Sequence, residues 1–233
     1  MNRHFILQIE TATPVCSVAI SKDGQTVATV EAAADNIHAS HLTLFVEQVL
    51  EKASVTLQDL AAVAVSMGPG SYTGLRIGVS VAKGLCYALD IPLIAVSTLY
   101  AMYDGFRERF ANQDSAHVFC PMIDARRMEV YSCIVDAAGR DLEQIGANVI
   151  DEHSFDAWRN AGRHIHLFGS GAVKFSSLYD GLENITVHDN FPNSAAFMTS
   201  RAATKLDRQE FEDVAYFEPY YLKDFVATMP KKK

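Results

Sequence analysis

The stretch GPGSYTGLRIG, residues 68–78, decides how the rest of the chain is organised. It follows LAAVAVSM, residues 60–67, a run that is apolar on both faces and is typical of a buried parallel strand. It opens a helix predicted over about 74–89. A strand, a glycine-rich turn and a helix in this order can frame a phosphate, because the amides at a helix N-terminus attract anions. The first question is therefore whether the turn binds a nucleotide.

Neither of the common nucleotide signatures fits this turn. A P-loop follows GxxxxGK[ST], and its lysine is needed because it contacts the β- and γ-phosphates. No lysine follows Gly74. The dinucleotide pattern GxGxxG needs a glycine three residues after Gly70, where the chain has Thr73. The turn is therefore predicted to shape the backbone rather than to hold phosphate.

Outward from the turn, the hydrophobic pattern repeats one order of elements twice. The first pass is an antiparallel meander with a hairpin turn at Asp23-Gly24, a helix, a buried strand, a helix, a buried strand and a helix. The second pass is similar but weaker. The predicted strands are 5–9, 15–20, 26–31, 60–67, 91–96, 117–123, 128–135, 146–150, 163–168 and 185–188, and the predicted helices are 37–52, 74–89, 98–110, 152–160 and 194–206.

This repeated order predicts an α/β protein built from two related halves. The weakest point of the pattern is 113–116, which is the expected boundary. The N-terminal half is therefore predicted at 1–112, and a smaller or degenerate C-terminal half at 113–233.

Composition places the chain among acidic globular proteins. It has 233 residues, a formal net charge of −8 and 49% hydrophobic residues. The acidic balance argues against strong nucleic-acid binding by the chain alone, because a protein needs a basic face to neutralise phosphates. The lysines at 231–233 are interpreted as a solvated end of the chain. We find neither an export signal nor a membrane-spanning run. The cysteines lack CxxC spacing and are expected to be reduced core thiols of a cytosolic protein: Cys16, Cys86, Cys120 and Cys133.

The helix predicted at 74–89 has more apolar surface than its own sheet requires. Apolar or small residues fill an arc of roughly 220° around it, whereas packing on one sheet uses about 100°. Gly74, Gly78 and Ala82 lie one turn apart in this arc, so another backbone could approach closely there. Two interpretations stay open: burial of both faces within the chain, or contact with another subunit.

Several segments resemble the TsaB (YeaZ) family. Residues 66–102, SMGPGSYTGLRIGVSVAKGLCYALDIPLIAVSTLYAM, are similar to the signature block of that family, and 66–99 is the specific part of the match. The similarity is strongest over 60–135 and loose over 136–215. Further similar segments are ILQIETATPVCSVAI (6–20), NIHASHLTLFVEQVL (36–50), PMIDARRMEVYSCIV (121–135), GSGA (169–172) and EPYYLKDF (218–225).

The resemblance implies the fold of acetate kinases, sugar kinases, Hsp70 and actin (the ASKHA fold), with two ribonuclease-H-like halves. It also implies a cytoplasmic protein that is a non-catalytic partner and activator of its paralogue TsaD, which forms threonylcarbamoyladenosine beside the tRNA anticodon. No catalytic residue is then expected in this chain. The implied partners are TsaD in a heterodimer, TsaE in a further complex, tRNA through the complex, and a second copy when the chain is alone; ATP is implied only at the complex interface.

The family resemblance also implies which surface binds TsaD. Its members use their first two long helices, here about 37–52 and 74–89, as half of a four-helix contact. Such a contact would account for the wide apolar arc and for Leu44, which the apolar stripe of the first helix does not need. The predicted interface residues are His41, Leu44, Gln48, Gly74, Ile77, Gly78, Val81 and Leu85.

The alternative is an autonomous nucleotide-dependent ATPase or kinase of the same fold group. Enzymes of this fold place a carboxylate on the first strand of each half, and Glu10 and Asp124 stand at those places. Gly169 and Gly171 resemble a turn on the adenine side. Glycine is missing beside both carboxylates, where side chains would obstruct phosphate, so we predict a degraded site.

Metal and peptidase sites are not predicted. His38 and His41 are one residue closer than the HxxxH pair of the catalytic paralogue, and no third ligand is apparent. His164 and His166 alternate on one strand without a carboxylate or cysteine beside them. Ser71 lacks a GxSxG elbow and Cys86 falls in an apolar helix, so neither is predicted to be a nucleophile. Whether Arg126 and Arg127 contact tRNA is left open.

Overall fold

The computed structural model describes residues 5–34, 37–110 and 114–223 and forms two five-stranded sheets. The first sheet has the order β3-β2-β1-β4-β5, and the second has the order β10-β9-β6-β7-β8. The first sheet contains β1 (Phe5–Glu10), β2 (Val15–Lys22), β3 (Gln25–Ala33), β4 (Leu60–Gly68) and β5 (Leu93–Ser97). The second contains β6 (His117–Asp124), β7 (Glu129–Asp136), β8 (Asp141–Val149), β9 (His164–Phe168) and β10 (Ile185–His188).

Five α-helices of the described residues connect or cover these strands. They are α1 (Ile37–Ala53), α2 (Tyr72–Leu89), α3 (Thr98–Arg109), α4 (Asp156–Asn160) and α5 (Thr199–Asp207), with short 3₁₀ turns at Leu57–Asp59, Val173–Phe175 and Ala195–Met198. Within the described residues, none of the helices is long and apolar enough to cross a membrane.

The two sheets share one topology. In each, three strands form an antiparallel meander, a fourth strand pairs in parallel with the first, and a fifth pairs in parallel with the fourth. Reading β6 to β10 as counterparts of β1 to β5 reproduces the strand order of the first sheet. The predicted α/β fold of two related halves is therefore confirmed. The predicted hairpin is also present, because Asp23 and Gly24 both have positive φ, 51° and 72°.

Two predicted helices differ from the structure. The helix expected at 152–160 begins only at Asp156, because the Asp151 and Ser154 side chains bond to nearby backbone amides and compete with helical bonds. The helix expected at 194–206 is divided: Ser194 caps a 3₁₀ turn, and α5 follows it.

Helix α3 joins the two sheets through one apolar core. Leu99 and Met102 are fully buried in this core with strand residues of both sheets. Near the end of the helix, Phe106 stacks on Phe168 of β9 with 4.1 Å between ring centroids. The α3 helix therefore positions the second sheet against the first.

The chain returns to the first sheet after β10. The Gln8 side chain donates to the Ala195 carbonyl at 3.2 Å and to the Thr199 hydroxyl at 2.9 Å. Further on, Glu212 pairs with Leu93 of β5. Residues 194–223 therefore pack largely on the first sheet, although chain order assigns them to the predicted half 113–233. Residue 113 of the expected boundary and the lysines at 231–233 lie outside the described residues.

The four cysteines are free and buried, as predicted for core thiols. Burial raises the pKa of the Cys86 thiol to about 11. This thiol is therefore protonated at neutral pH and is not an activated nucleophile.

Candidate functional site

The GPGSYTG turn packs directly on the residues that follow β1. The Ser71 amide donates to the Ala12 carbonyl at 2.7 Å, and a Cβ at Gly70 would lie 2.5 Å from the same oxygen. The Ser71 hydroxyl accepts from the Gly74 amide at 3.2 Å and caps α2. The glycines of the turn thus permit close packing of the chain on itself, which supports a structural role for the turn and for Ser71.

Gly74 and Gly78 face the interior, and this corrects their assignment to a partner interface. Both are buried. A Cβ at Gly74 would lie 2.1 Å from the Thr11 carbonyl oxygen, and one at Gly78 would lie 2.2 Å from the Thr11 hydroxyl. The small residues of α2 therefore let the helix approach the end of β1. Of the two interpretations of this stripe, burial within the chain is the observed one.

The opposite face of α2 contains a small-residue stripe of its own. Ser80, Gly84 and Ala88 are spaced by four residues and are exposed. A Cβ at Gly84 would meet no other atom of the described residues within 4 Å. Glycine inside a helix costs roughly 0.5–1 kcal/mol relative to alanine, and no close contact in the described part of the chain requires a glycine here.

Alanine substitutions at Gly74 and Gly84 are expected to have opposite effects on stability. Gly74→Ala should lower the free energy of unfolding by about 2 kcal/mol, because the new methyl group collides with a backbone oxygen. Gly84→Ala should raise it by about 0.5–1 kcal/mol, because the site is open and alanine favours the helix. Urea denaturation of both variants measures the difference, and two effects of the same sign would contradict this assignment of the helix faces.

The remaining predicted interface residues lie on the outer side of α1 and α2. On α1, His41 and Gln48 are exposed, and Leu44 is 46% exposed. On α2, Ile77 and Val81 are half-buried, as is Leu85. A groove of about 490 Å³ runs along this side, lined by Ala39 of α1 and by Tyr72, Thr73, Arg76, Ile77, Ser80 and Val81 of α2.

The two histidines of α1 have different surroundings. Nε2 of His38 lies 3.2 Å from the Val15 carbonyl oxygen, and this side chain is partly buried. His41 is exposed, with Nδ1 2.7 Å from the Ser40 hydroxyl. In the part of the chain that the structure describes, no group of three or more His, Cys, Asp or Glu side chains is arranged to hold a metal ion.

Glu10 is fully buried at the end of β1. One carboxylate oxygen accepts from the Ala12 amide at 2.6 Å. Burial raises the pKa of Glu10 to about 7, although hydrogen bonds from the Ala12 amide and from the Ser66 and Asn193 side chains work in the opposite direction. Glu10 is therefore enclosed by the chain itself.

Asp124 occupies the equivalent place at the end of β6 but is exposed and paired. Its carboxylate lies 2.8 Å from the Lys174 ammonium, which also donates to the carbonyls of Arg127 and Glu129. Arg126 and Arg127 have positive φ, 73° and 51°, and are exposed at the tip of this turn. The lysine thus neutralises Asp124 and holds the turn together.

Gly169 and Gly171 pack against β6. A Cβ at Gly169 would lie 2.5 Å from the Met122 carbonyl oxygen, and one at Gly171 would lie 2.9 Å from the Ile123 carbonyl carbon. Gly169 also has a φ of +100°, which favours glycine. These packing roles account for both glycines, and a nucleotide role for them stays a prediction.

Comparisons with known proteins match the chain along most of its length. A protein-family model described as TsaD, tRNA N6-adenosine threonylcarbamoyltransferase, matches residues 30–216. The chain is 40% identical over 127 residues to the tRNA threonylcarbamoyladenosine biosynthesis protein TsaB of Escherichia coli (strain K12), which covers 54% of this chain and 52% of that protein. Matches to the curated relatives of this name therefore span about half of their length.

Solved structures extend the similarity to the whole fold. YeaZ from Pseudomonas aeruginosa is 25% identical, with a TM-score of 0.78 over 95% of this chain and 100% of that one. The activator of the 2-hydroxyisocaproyl-CoA dehydratase from Clostridium difficile is only 11% identical, with a TM-score of 0.50 over 90% of this chain and 98% of that one. The second likeness concerns the fold alone.

Proposed function

Because the chain belongs to the TsaB (YeaZ) family, within the wider family of tRNA N6-adenosine threonylcarbamoyltransferase, we propose that it is the non-catalytic partner and activator of a TsaD paralogue. The complex would act in the cytoplasm, forming threonylcarbamoyladenosine beside the tRNA anticodon. In this proposal TsaE joins the complex, tRNA is bound through the complex, and ATP is held only where the subunits meet. A second copy of the chain would occupy the same face when TsaD is absent.

The outer face of α1 and α2 is the observation that carries this proposal. It combines Leu44, which is 46% exposed, with half-buried Ile77 and Val81 on the neighbouring helix. An apolar face on two neighbouring helices, with a groove beside it, suits a pair of helices from another subunit. Their packing would bury the side chains that this chain leaves half-covered.

Gly84 permits the close approach of a partner backbone that the sequence pattern predicted at Gly74 and Gly78. It is exposed, and a Cβ placed there would touch none of the described residues. With Ser80 and Ala88 one turn away on either side, it offers a low surface on which a partner helix can rest. A contact of this kind gives an exposed glycine in mid-helix a function.

The alternative, an autonomous ATPase or kinase, has less support from the geometry. Glu10 is fully buried, and the Lys174 ammonium neutralises the Asp124 carboxylate. Neither carboxylate is thus free to hold a nucleotide-bound cation in this conformation.

The proposal predicts a new complex and a new activity on mixing the chain with TsaD. Light scattering after size-exclusion chromatography should show a heteromeric peak, and the mixture, supplied with TsaE and ATP, should threonylcarbamoylate tRNA when neither subunit does so alone. Absence of a complex between two folded proteins would contradict the proposal. Calorimetric binding of ATP and Mg²⁺ to the chain alone would then favour the alternative.

A further inference from the structure

Four histidines meet on one face of the second sheet. His117 begins β6, His164 and His166 lie on β9, and His188 ends β10. In the parallel ladder, His117 pairs with His164, which places their side chains on the same face. Ring centroids are 5.0 Å apart for His117 and His166, 4.8 Å for His164 and His166, and 5.3 Å for His166 and His188.

His166 connects two of the others by hydrogen bonds. Its Nε2 lies 2.7 Å from Nδ1 of His117, and its Nδ1 lies 3.0 Å from Nε2 of His188. A neutral imidazole has one donor and one acceptor nitrogen, so each of these two hydrogen bonds needs one facing nitrogen without a proton. Because its two nitrogens face different neighbours, His166 cannot share one metal ion with both. The three rings are therefore joined by imidazole–imidazole hydrogen bonds, which break when both facing nitrogens of a pair carry protons.

The end of α3 covers this cluster. Phe110 lies over His166 with 4.5 Å between ring centroids, and Phe106 lies edge-on to His188 at 4.8 Å. Phe119 of β6 stacks on His166 from within the sheet at 5.3 Å. The histidines thus form part of the surface on which the last turn of α3 rests.

The charged groups around the cluster are mostly positive or become so in acid. Arg107 reaches toward it from α3, and the other histidines face His166 from β6, β9 and β10. Burial, together with the neighbouring imidazoles and Arg107, lowers the pKa of His166 to about 3. The Asp189 carboxylate raises the pKa of His188, whereas burial lowers it and has the larger effect.

We propose that the four-histidine cluster is a proton-operated latch that holds the end of α3 on the second sheet. At neutral pH the imidazole chain is intact and the aromatic side chains of α3 pack on it. Protons that add to both His166 and His188 turn the two nitrogens that face each other into donors, so the hydrogen bond between these rings is lost. The positive charges repel each other and Arg107, and the end of α3 separates from the sheet. Since α3 joins the two sheets, this opening loosens their connection.

The sign and size of the effect follow from proton linkage. A histidine whose pKa is lowered in the closed state is protonated more readily when the latch opens. The closed latch is therefore most stable when the pH is above the ordinary histidine pKa of about 6.5. It loses stability as the pH falls below that value. At pH 5.5, each histidine that stays neutral when closed and titrates freely when open favours opening about tenfold.

Hydrogen–deuterium exchange at pH 7.5 and 5.5, corrected for intrinsic exchange rates, tests the latch. In the wild-type chain, amides of 98–110 should open at least about tenfold more often at the lower pH, whereas amides of 37–53 should change much less. His166→Gln should reduce this pH ratio at least about threefold. If His166→Gln does not fold, His188→Gln takes its place, since His188 is only half-buried.

A matched control separates the cluster from general acid effects. His153 is exposed, pairs with Asp156, and lies on no strand of the second sheet, so His153→Gln should keep the wild-type ratio. A wild-type ratio below about twofold in the folded protein would overturn the proposal. So would an equal loss of the ratio in His153→Gln, or a ratio unchanged in the cluster variant.

Discussion

Gly84→Arg is expected to raise the dissociation constant of the complex with TsaD at least about a hundredfold while the chain stays folded. The reason is steric and electrostatic: a long cationic side chain would stand where the partner backbone is proposed to rest. A hundredfold loss corresponds to about 2.7 kcal/mol of binding free energy. Folding should not suffer, because the site is open and arginine favours a helix more than glycine does.

Two measurements make this result specific to binding. Circular dichroism and a urea titration should show that Gly84→Arg is at least as stable as the wild type, and calorimetry with TsaD should show the loss of affinity. Gly84→Ala is the matched control, since it has the same helical preference without the bulk. An arginine variant that binds TsaD within about threefold of the wild type would place the interface elsewhere.

The sequence could predict the elements around this face but not which side of α2 is buried. Its hydrophobic period located α2 within two residues, and the glycine spacing identified a stripe for close approach. In the sequence alone, Gly74 and Gly84 cannot be told apart, because each adds a small residue to a mostly apolar helix. What distinguishes them is Thr11, a residue more than sixty positions away whose carbonyl lies under Gly74. Contacts between residues so far apart in the chain form only when the sheet is folded. They leave no local pattern in the sequence.

The histidine cluster illustrates the same limit. The alternation of His164 and His166 on a predicted strand placed those two on one side. Their neighbours His117 and His188 come from β6 and β10, and only the strand order brings the three strands together. Glu10 was located correctly at the end of the first strand, but one of the groups that lower its pKa, the Asn193 side chain, comes from the far end of the chain.

Glu10→Gln is expected to stabilise the chain in a pH-dependent way. Burial raises the pKa of Glu10 to about 7, above its ordinary value of 4.5. The native state therefore holds a proton that the unfolded state has released, and stability from this group is fully present below about pH 4.5 and is lost as pH rises through 7. Between pH 5 and pH 8 this loss amounts to about 2.5 kcal/mol in the wild type. Glutamine does not titrate, so the variant does not lose this stability between pH 5 and pH 8.

The wild-type pH profile alone would hide this effect. His166 acts in the opposite direction, because its lowered pKa makes the native state gain about 2 kcal/mol over the same interval, from pH 5 to pH 8. The two contributions nearly cancel, whereas the difference between Glu10→Gln and the wild type retains only the Glu10 contribution. Urea denaturation at pH 5 and pH 8 should therefore show that the stability difference between the two proteins grows by about 2.5 kcal/mol from the lower to the higher pH. Glu47→Gln, on the exposed side of α1, is the control for losing a surface carboxylate. A difference that stays constant with pH would mean that the buried carboxylate is charged in the native state, so that the hydrogen bonds from Ala12, Ser66 and Asn193 outweigh the effect of burial on its pKa.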